Sequence, residues 1–201
     1  MSLLHRLQVS LFFLTLIVPS SRAQSNSAPP NAPAQPVTRD GQHDFDFELG
    51  SWTIHLKRLQ KPLTGSNSWV EFDGTSVTRR VWDGRSQIEE FEVDSPTGHI
   101  EGLTLRLYNP QTHQWSLYWA NAKDGAMGGP PNVGEFKNGR GEFYCQDSYN
   151  GRVVYVRYLW SDITPTAAHF EQSYSTDGGK TWEVNWITDQ TRVQAQPDRA
   201  H

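Results

Sequence analysis

Alternation constrains this chain more than any other feature. From residue 51 to residue 190, apolar and polar side chains trade places every second residue within short segments, and each segment stops at a cluster of Gly, Asn, Asp or Pro. Period two is the mark of a strand with one buried face, and the clusters are turn chemistry. No amphipathic helix of useful length interrupts the pattern. The spacing predicts ten strands, over residues 51–59, 68–82, 86–94, 101–108, 114–121, 132–137, 141–148, 152–161, 167–175 and 181–190. They are joined at Asp83-Gly84, Pro96-Thr97-Gly98, Asn109-Pro110, Asn138-Gly139, Asn150-Gly151 and Asp177-Gly178-Gly179. Sequential strands with short connections pair neighbour with neighbour, and a sheet that long curls and closes. The expected fold is all-β, a single antiparallel up-and-down β-barrel of about ten strands.

The ends read differently. Residues 1–23 have the layout of a signal peptide: His5 and Arg6, an apolar run from Leu11 to Val18 broken at Thr15, Pro19, and the small-residue site Ser21-Arg22-Ala23. The run is far shorter than the ~20 residues that span a bilayer. Residues 24–42, rich in Pro, Ser, Asn and Ala, read as a disordered linker, residues 43–192 as the barrel domain and residues 193–201 as a flexible tail. The expected location is secreted or periplasmic. Cys145 is the one cysteine, so an intrachain disulfide is excluded, and on the parity of Phe143 it reads as a small buried apolar residue. Loss of residues 1–23 removes Arg6 and Arg22 and no acid, leaving 16 Lys+Arg against 22 Asp+Glu, a balance of about −6. With no basic run, neither nucleic acid nor an anionic membrane surface is an expected partner.

The stretch Ser175 to Trp182, STDGGKTW, resembles the Asp-box of sialidase-type propeller blades. A propeller repeats that motif blade by blade over a longer chain. Here it bridges the last two strands, where Asp177 can accept turn N–H groups, so a structural role is expected.

The segments FDFELGSW, WVEFDGT, LRLYNP, WSLYW, GEFY, WSDITP and STDGGKTWEVNW, in that order over residues 43–192, resemble the exported bacterial DUF1579-like family, and the Gly50-x-Trp52 opening resembles the first strand of lipocalin-type and related calycin barrels. The resemblance implies a calycin-like barrel, with no catalytic residues to carry over. The nitrobindin type, a ten-stranded barrel holding haem through a histidine, is similar in outline. This chain departs from it, with Ile54 where the first-strand pattern has glycine and no His in the last strand. No haem or other cofactor is expected.

Alternate side chains of a barrel strand point inward. Taking the apolar parity as inward nominates Trp52, Ile54 and Leu56; Leu103, Leu105 and Leu107; Trp115, Leu117 and Trp119; Val154, Val156, Tyr158 and Trp160; Phe170; and Trp182, Val184 and Trp186. The polar residues sharing that parity are Asn121, Gln172, Tyr174 and Thr188, with Arg79 and Glu89 on strands that alternate poorly. An inward Arg79 needs a carboxylate, from Glu89 or from a ligand, unless a bulge near Asp73-Gly74 turns it to solvent. The candidate ligand-binding set is Arg79, Glu89, Trp119, Tyr158, Gln172 and Trp186. The histidines lack metal-ligand spacing and no Gly-x-Ser-x-Gly elbow occurs, so no metal site is expected and catalytic residues are not assigned. Three functions fit: a barrel binding a small apolar or amphipathic molecule, an enzyme of isomerase or hydrolase type using Tyr158 or Glu89 as acid or base, and a barrel filled by its own side chains.

Overall fold

The structure, a computed structural model, describes residues 40–194. The expected signal peptide, most of the linker and the end of the tail lie outside the described residues. Eleven strands form one antiparallel sheet: β1 (Gly50–Leu59), β2 (Trp69–Val81), β3 (Ser86–Ser95), β4 (Gly98–Asn109), β5 (Gln114–Asn121), β6 (Ala126–Met127), β7 (Asn132–Lys137), β8 (Arg140–Tyr149), β9 (Arg152–Ser161), β10 (Ala167–Ser175) and β11 (Glu183–Arg192). Sheet order follows chain order from β4 back through β1 to β11 and down to β5, and β4 then pairs with β5 to close the ring. Ten strands make the closed barrel. The two-residue β6 pairs only with the end of β5, where Ala120 faces Met127.

One end of the barrel is plugged by the segment before β1. This segment is irregular apart from a short 3-10 turn at Asp46–Glu48, and a buried irregular backbone must find partners for its polar groups. Barrel side chains supply them. Trp115 Nε1 donates to the Gly41 carbonyl at 2.9 Å, Gln87 Nε2 to Phe45 at 3.1 Å and Trp52 Nε1 to Glu48 at 2.8 Å. Arg192 donates to the carbonyls of Phe47 and Leu49 while its guanidinium lies 4.2 Å from the Trp52 ring centroid. The plug's anchor is Phe45, fully buried, with Trp115, Phe136, Phe143 and Trp160 at 4.9–6.0 Å between ring centroids. Each such aromatic pair adds about 0.5–1.5 kcal/mol beyond area burial.

A second apolar cluster, Trp52, Ile54, Leu56, Phe72, Phe91, Val93 and Ile100, lines the β1–β4 wall. Its spacing requires small residues on β2 and β4. A Cβ on Gly74 would come within 2.0 Å of the Glu92 carbonyl oxygen across the strand pair. One on Gly102 would meet the Trp119 indole at 2.1 Å. Gly102 leaves the space on β4 that the Trp119 indole occupies.

Three parity expectations are corrected here. On β4 the inward residues are Ile100, Gly102, Thr104, Arg106 and Tyr108, and the half-buried Leu103, Leu105 and Leu107 lie on the outer face. On β2 the inward parity belongs to Phe72, Gly74, Ser76 and Thr78. Arg79 therefore points outward, where it pairs with Glu90 at 2.8 Å. No bulge causes this, since β2 keeps one register with both β1 and β3 through Asp73 and Gly74. On β11 the β10 register shifts between Gln172 and Ser173, so that Trp186 faces Gln172 while Val184 faces Ser173, and Asn185 is the extra residue. That bulge turns Trp182 out of the barrel onto Arg157, 4.8 Å from the guanidinium carbon.

Candidate functional site

Above the plug the barrel is hollow. A cavity of about 270 Å³ runs from the buried Glu89 and Arg106 toward the open end, where the exposed Arg58 and Gln60 form its mouth. Five of the six expected site residues line it: Glu89, Trp119, Tyr158, Gln172 and Trp186. Arg79 does not. Its place as the interior cation is taken by Arg106, which the β4 leucines obscured.

The walls are aromatic because strand parity stacks large rings at one height. Trp119 and Trp186 stand 6.2 Å apart, each within about 6 Å of Phe91, and Tyr158 meets Phe170 edge-on at 5.2 Å. Polar groups among them are largely spoken for. Gln172 Nε2 donates to Asn185 Oδ1 at 2.7 Å and Trp186 Nε1 to Thr188 Oγ1 at 2.9 Å. Burial pushes the Tyr158 phenol well above its ordinary value and Tyr174 up to about 12, so both hydroxyls keep their protons at neutral pH. Cys145 is half-buried beside a small polar side pocket of about 40 Å³ that it shares with Asn132, Asp147 and Tyr158. Its thiol is raised to about 11, first by desolvation and then by Asp147, which keeps it protonated at neutral pH.

The inner end holds a charge cluster. Arg106, 1% exposed, donates from Nη2 to Glu89 Oε2 at 2.6 Å and stands 3.6 Å from Glu48 Oε2. Glu48 in turn accepts from Gln190 Nε2 at 2.6 Å. The Arg106 guanidinium carbon also lies 5.1 Å from the Phe45 ring centroid. A cation between two carboxylates avoids the several kcal/mol that an unpaired buried charge costs. Desolvation nevertheless dominates at Glu48 and pushes its carboxyl up to about 7, with Arg106 pulling down and Glu89 pushing up. Arg106 and Glu48 were both missed from sequence. The signal for Arg106 was Gly102 and Tyr108 at the same parity. Glu48, in an acidic stretch, offered none. Among the described residues, no group of three His, Cys, Asp or Glu could hold a metal ion.

The Asp-box hairpin lies at the mouth end and takes no part in the cavity lining. Asp177 Oδ1 accepts from the Lys180 and Thr181 backbone N–H groups at 3.0 Å each, and its Oδ2 accepts from Thr181 Oγ1 at 2.6 Å. Those bonds, Thr181's hydroxyl foremost, hold the Asp177 carboxyl well below the usual range. All of this is local turn chemistry.

No protein-family model and no curated protein matches the sequence. Among solved structures, the S-type phycobiliprotein lyase CPES from Guillardia theta matches at a TM-score of 0.54 with 14% identity, over 79% of this chain and 96% of that one. At that identity the likeness speaks for the fold alone. The barrel is lipocalin-like.

Proposed function

We propose that this chain is an exported β-barrel that binds a small apolar or amphipathic molecule between Trp119, Tyr158 and Trp186. The observation that carries the reading is the cavity itself: about 270 Å³ of space walled by eight aromatic side chains interspersed with polar ones. That volume lies just below the ~300 Å³ at which drug-sized pockets begin, which favours a small ligand. A barrel filled by its own side chains would lack such space. For an enzyme, the interior would need an acid or base matched to neutral pH and open to substrate. Burial keeps the proton on the Tyr158 phenol, and Glu89 commits one of its two carboxylate oxygens to Arg106. Export, secretion or periplasmic residence, and membership of the DUF1579-like type are supported by the sequence motifs and by the signal-like residues 1–23.

Thermal melting with a panel of medium-chain alcohols, fatty acids, porphyrins and aromatic amphiphiles tests the reading. A ligand that binds only the folded barrel, at a hundred times its Kd, stabilises by ~2.7 kcal/mol and raises the Tm by roughly 5–10 °C. Trp119→Ala should shrink that rise relative to its own unliganded Tm, whereas Trp82→Phe, at a 64% exposed position outside the barrel, should leave it intact. A panel without any shift returns the barrel to the filled reading.

A further inference from the structure

The two ends of the cavity differ in charge. At the inner end Arg106 borders the cavity but is only 1% exposed: its Nη2 is spent on Glu89, and its Nε and Nη1, without hydrogen-bond partners, are buried away from the open space beside Glu48 and the Phe45 ring. Glu89 spends Oε2 on Arg106, while its Oε1 has no hydrogen-bond partner among the described residues, and Glu89 lines the cavity. The inner end therefore offers a carboxylate oxygen. At the mouth the sign reverses. Arg58 lines the cavity with its guanidinium carbon 6.0 Å from the Trp186 ring centroid, and it forms no ion pair among the described residues, although its neighbour Lys57 pairs with Glu71 at 3.5 Å. The polar side chains that line the wall between the two ends, among them Thr104, Thr188, Tyr158 and the mutually bonded Gln172 and Asn185, carry no charge.

We propose that the cavity takes a medium-chain carboxylate with its acid group at the mouth against Arg58 and its apolar body inward along Trp186 and Trp119. This rests on the binding function proposed above and adds the ligand class and its orientation. One guanidinium presents paired N–H groups that match one planar, singly charged carboxylate, whereas a dianionic head would need further cations. The reverse orientation would bring the acid onto Glu89, like charge against like in a desolvated site. An alkylammonium ligand would meet repulsion at Arg58.

Tryptophan-fluorescence titrations with decanol, decanoate and decylammonium at pH 8 and low salt test the proposal. Decanoate should bind more tightly than decanol, by up to about fivefold, the upper end for a solvent-accessible ion pair, with decylammonium weakest, and the preference should shrink as salt rises. Arg58→Gln should bring the decanoate-to-decanol ratio to about one, and Arg58→Glu should move the preference to decylammonium. Because Arg58 is exposed, both variants should melt as the parent does. Equal affinity for decanol and decanoate in the parent, or a preference that survives Arg58→Gln, overturns the carboxylate subsite and leaves cavity binding standing. If neither decanol nor decanoate binds, and the wider panel of ligands does not either, cavity binding fails and the subsite with it.

Discussion

Glu48 is the residue whose chemistry the fold alters most. Fully buried, it holds its proton in the native barrel up to about pH 7, whereas its ordinary value is 4.5. Between those values the native state binds more protons than the unfolded chain, so stability falls as pH rises through that window and levels off above it. The contribution is of order 1–3 kcal/mol. Denaturant unfolding at pH 5 and pH 8 should show the parent losing stability across the interval, and Glu48→Gln should flatten that slope. An unchanged slope would mean that Glu48 is ionised throughout. Residue-level facts of this kind were the least legible in the sequence. Glu48 sits in HDFDFELG, where alternating acids look solvated, and only the plug's docking desolvates it. Arg79 and Arg106 illustrate the same limit. Which of them faces inward is decided by the glycine at Gly102 and the small polar run Gly74, Ser76 and Thr78, not by the leucines that dominate β4 by count.

At the scale of elements, most of the sheet was legible. The ten predicted strands agree with the observed ones to within about three residues at each end, because turn chemistry at Asn138-Gly139 and Asn150-Gly151 marks the boundaries: all four residues take positive φ. The β10–β11 bulge was not legible, since a one-residue slip leaves no compositional trace, yet it decides that Trp186 faces in and Trp182 faces out. Two predictions belong to this scale. Asp177→Ala removes the acceptor for two backbone N–H groups and two hydroxyls, those of Ser175 and Thr181, so it should lower the Tm while leaving ligand affinity unchanged; loss of binding at full stability would contradict the structural role. As the Asp177 carboxyl is depressed in the native state, its contribution is present above its ordinary value of 3.8 and fades as pH falls below it. The second concerns β4. Gly102→Ala forces a methyl group into the Trp119 indole, an overpacking change that should cost about 1–3 kcal/mol and shift the tryptophan emission. A neutral effect on both would mean that the ring has room the structure does not show.

The whole molecule is a barrel stoppered at one end. The plug carries Phe45 into the aromatic cluster and gives up its backbone carbonyls to Trp115, Gln87, Trp52 and Arg192, which consumes the lower interior. Trp119 on β5 and Trp186 on β11, opposite each other in the strand order, meet across the upper interior at 6.2 Å, and a cavity of about 270 Å³ remains beside them. The sequence foretold the closure and the aromatic lining, and it could not foretell how the interior divides between plug and cavity, because that depends on where an irregular segment docks. The central claim is that the remaining space is a binding site. Titration of decanol into the parent protein, followed by tryptophan fluorescence, tests it most directly. The account predicts quenching that saturates with one-site stoichiometry and weakens in Trp119→Ala. Fluorescence that changes only linearly with decanol, and stays so with fatty acids, porphyrins and aromatic amphiphiles, would contradict it.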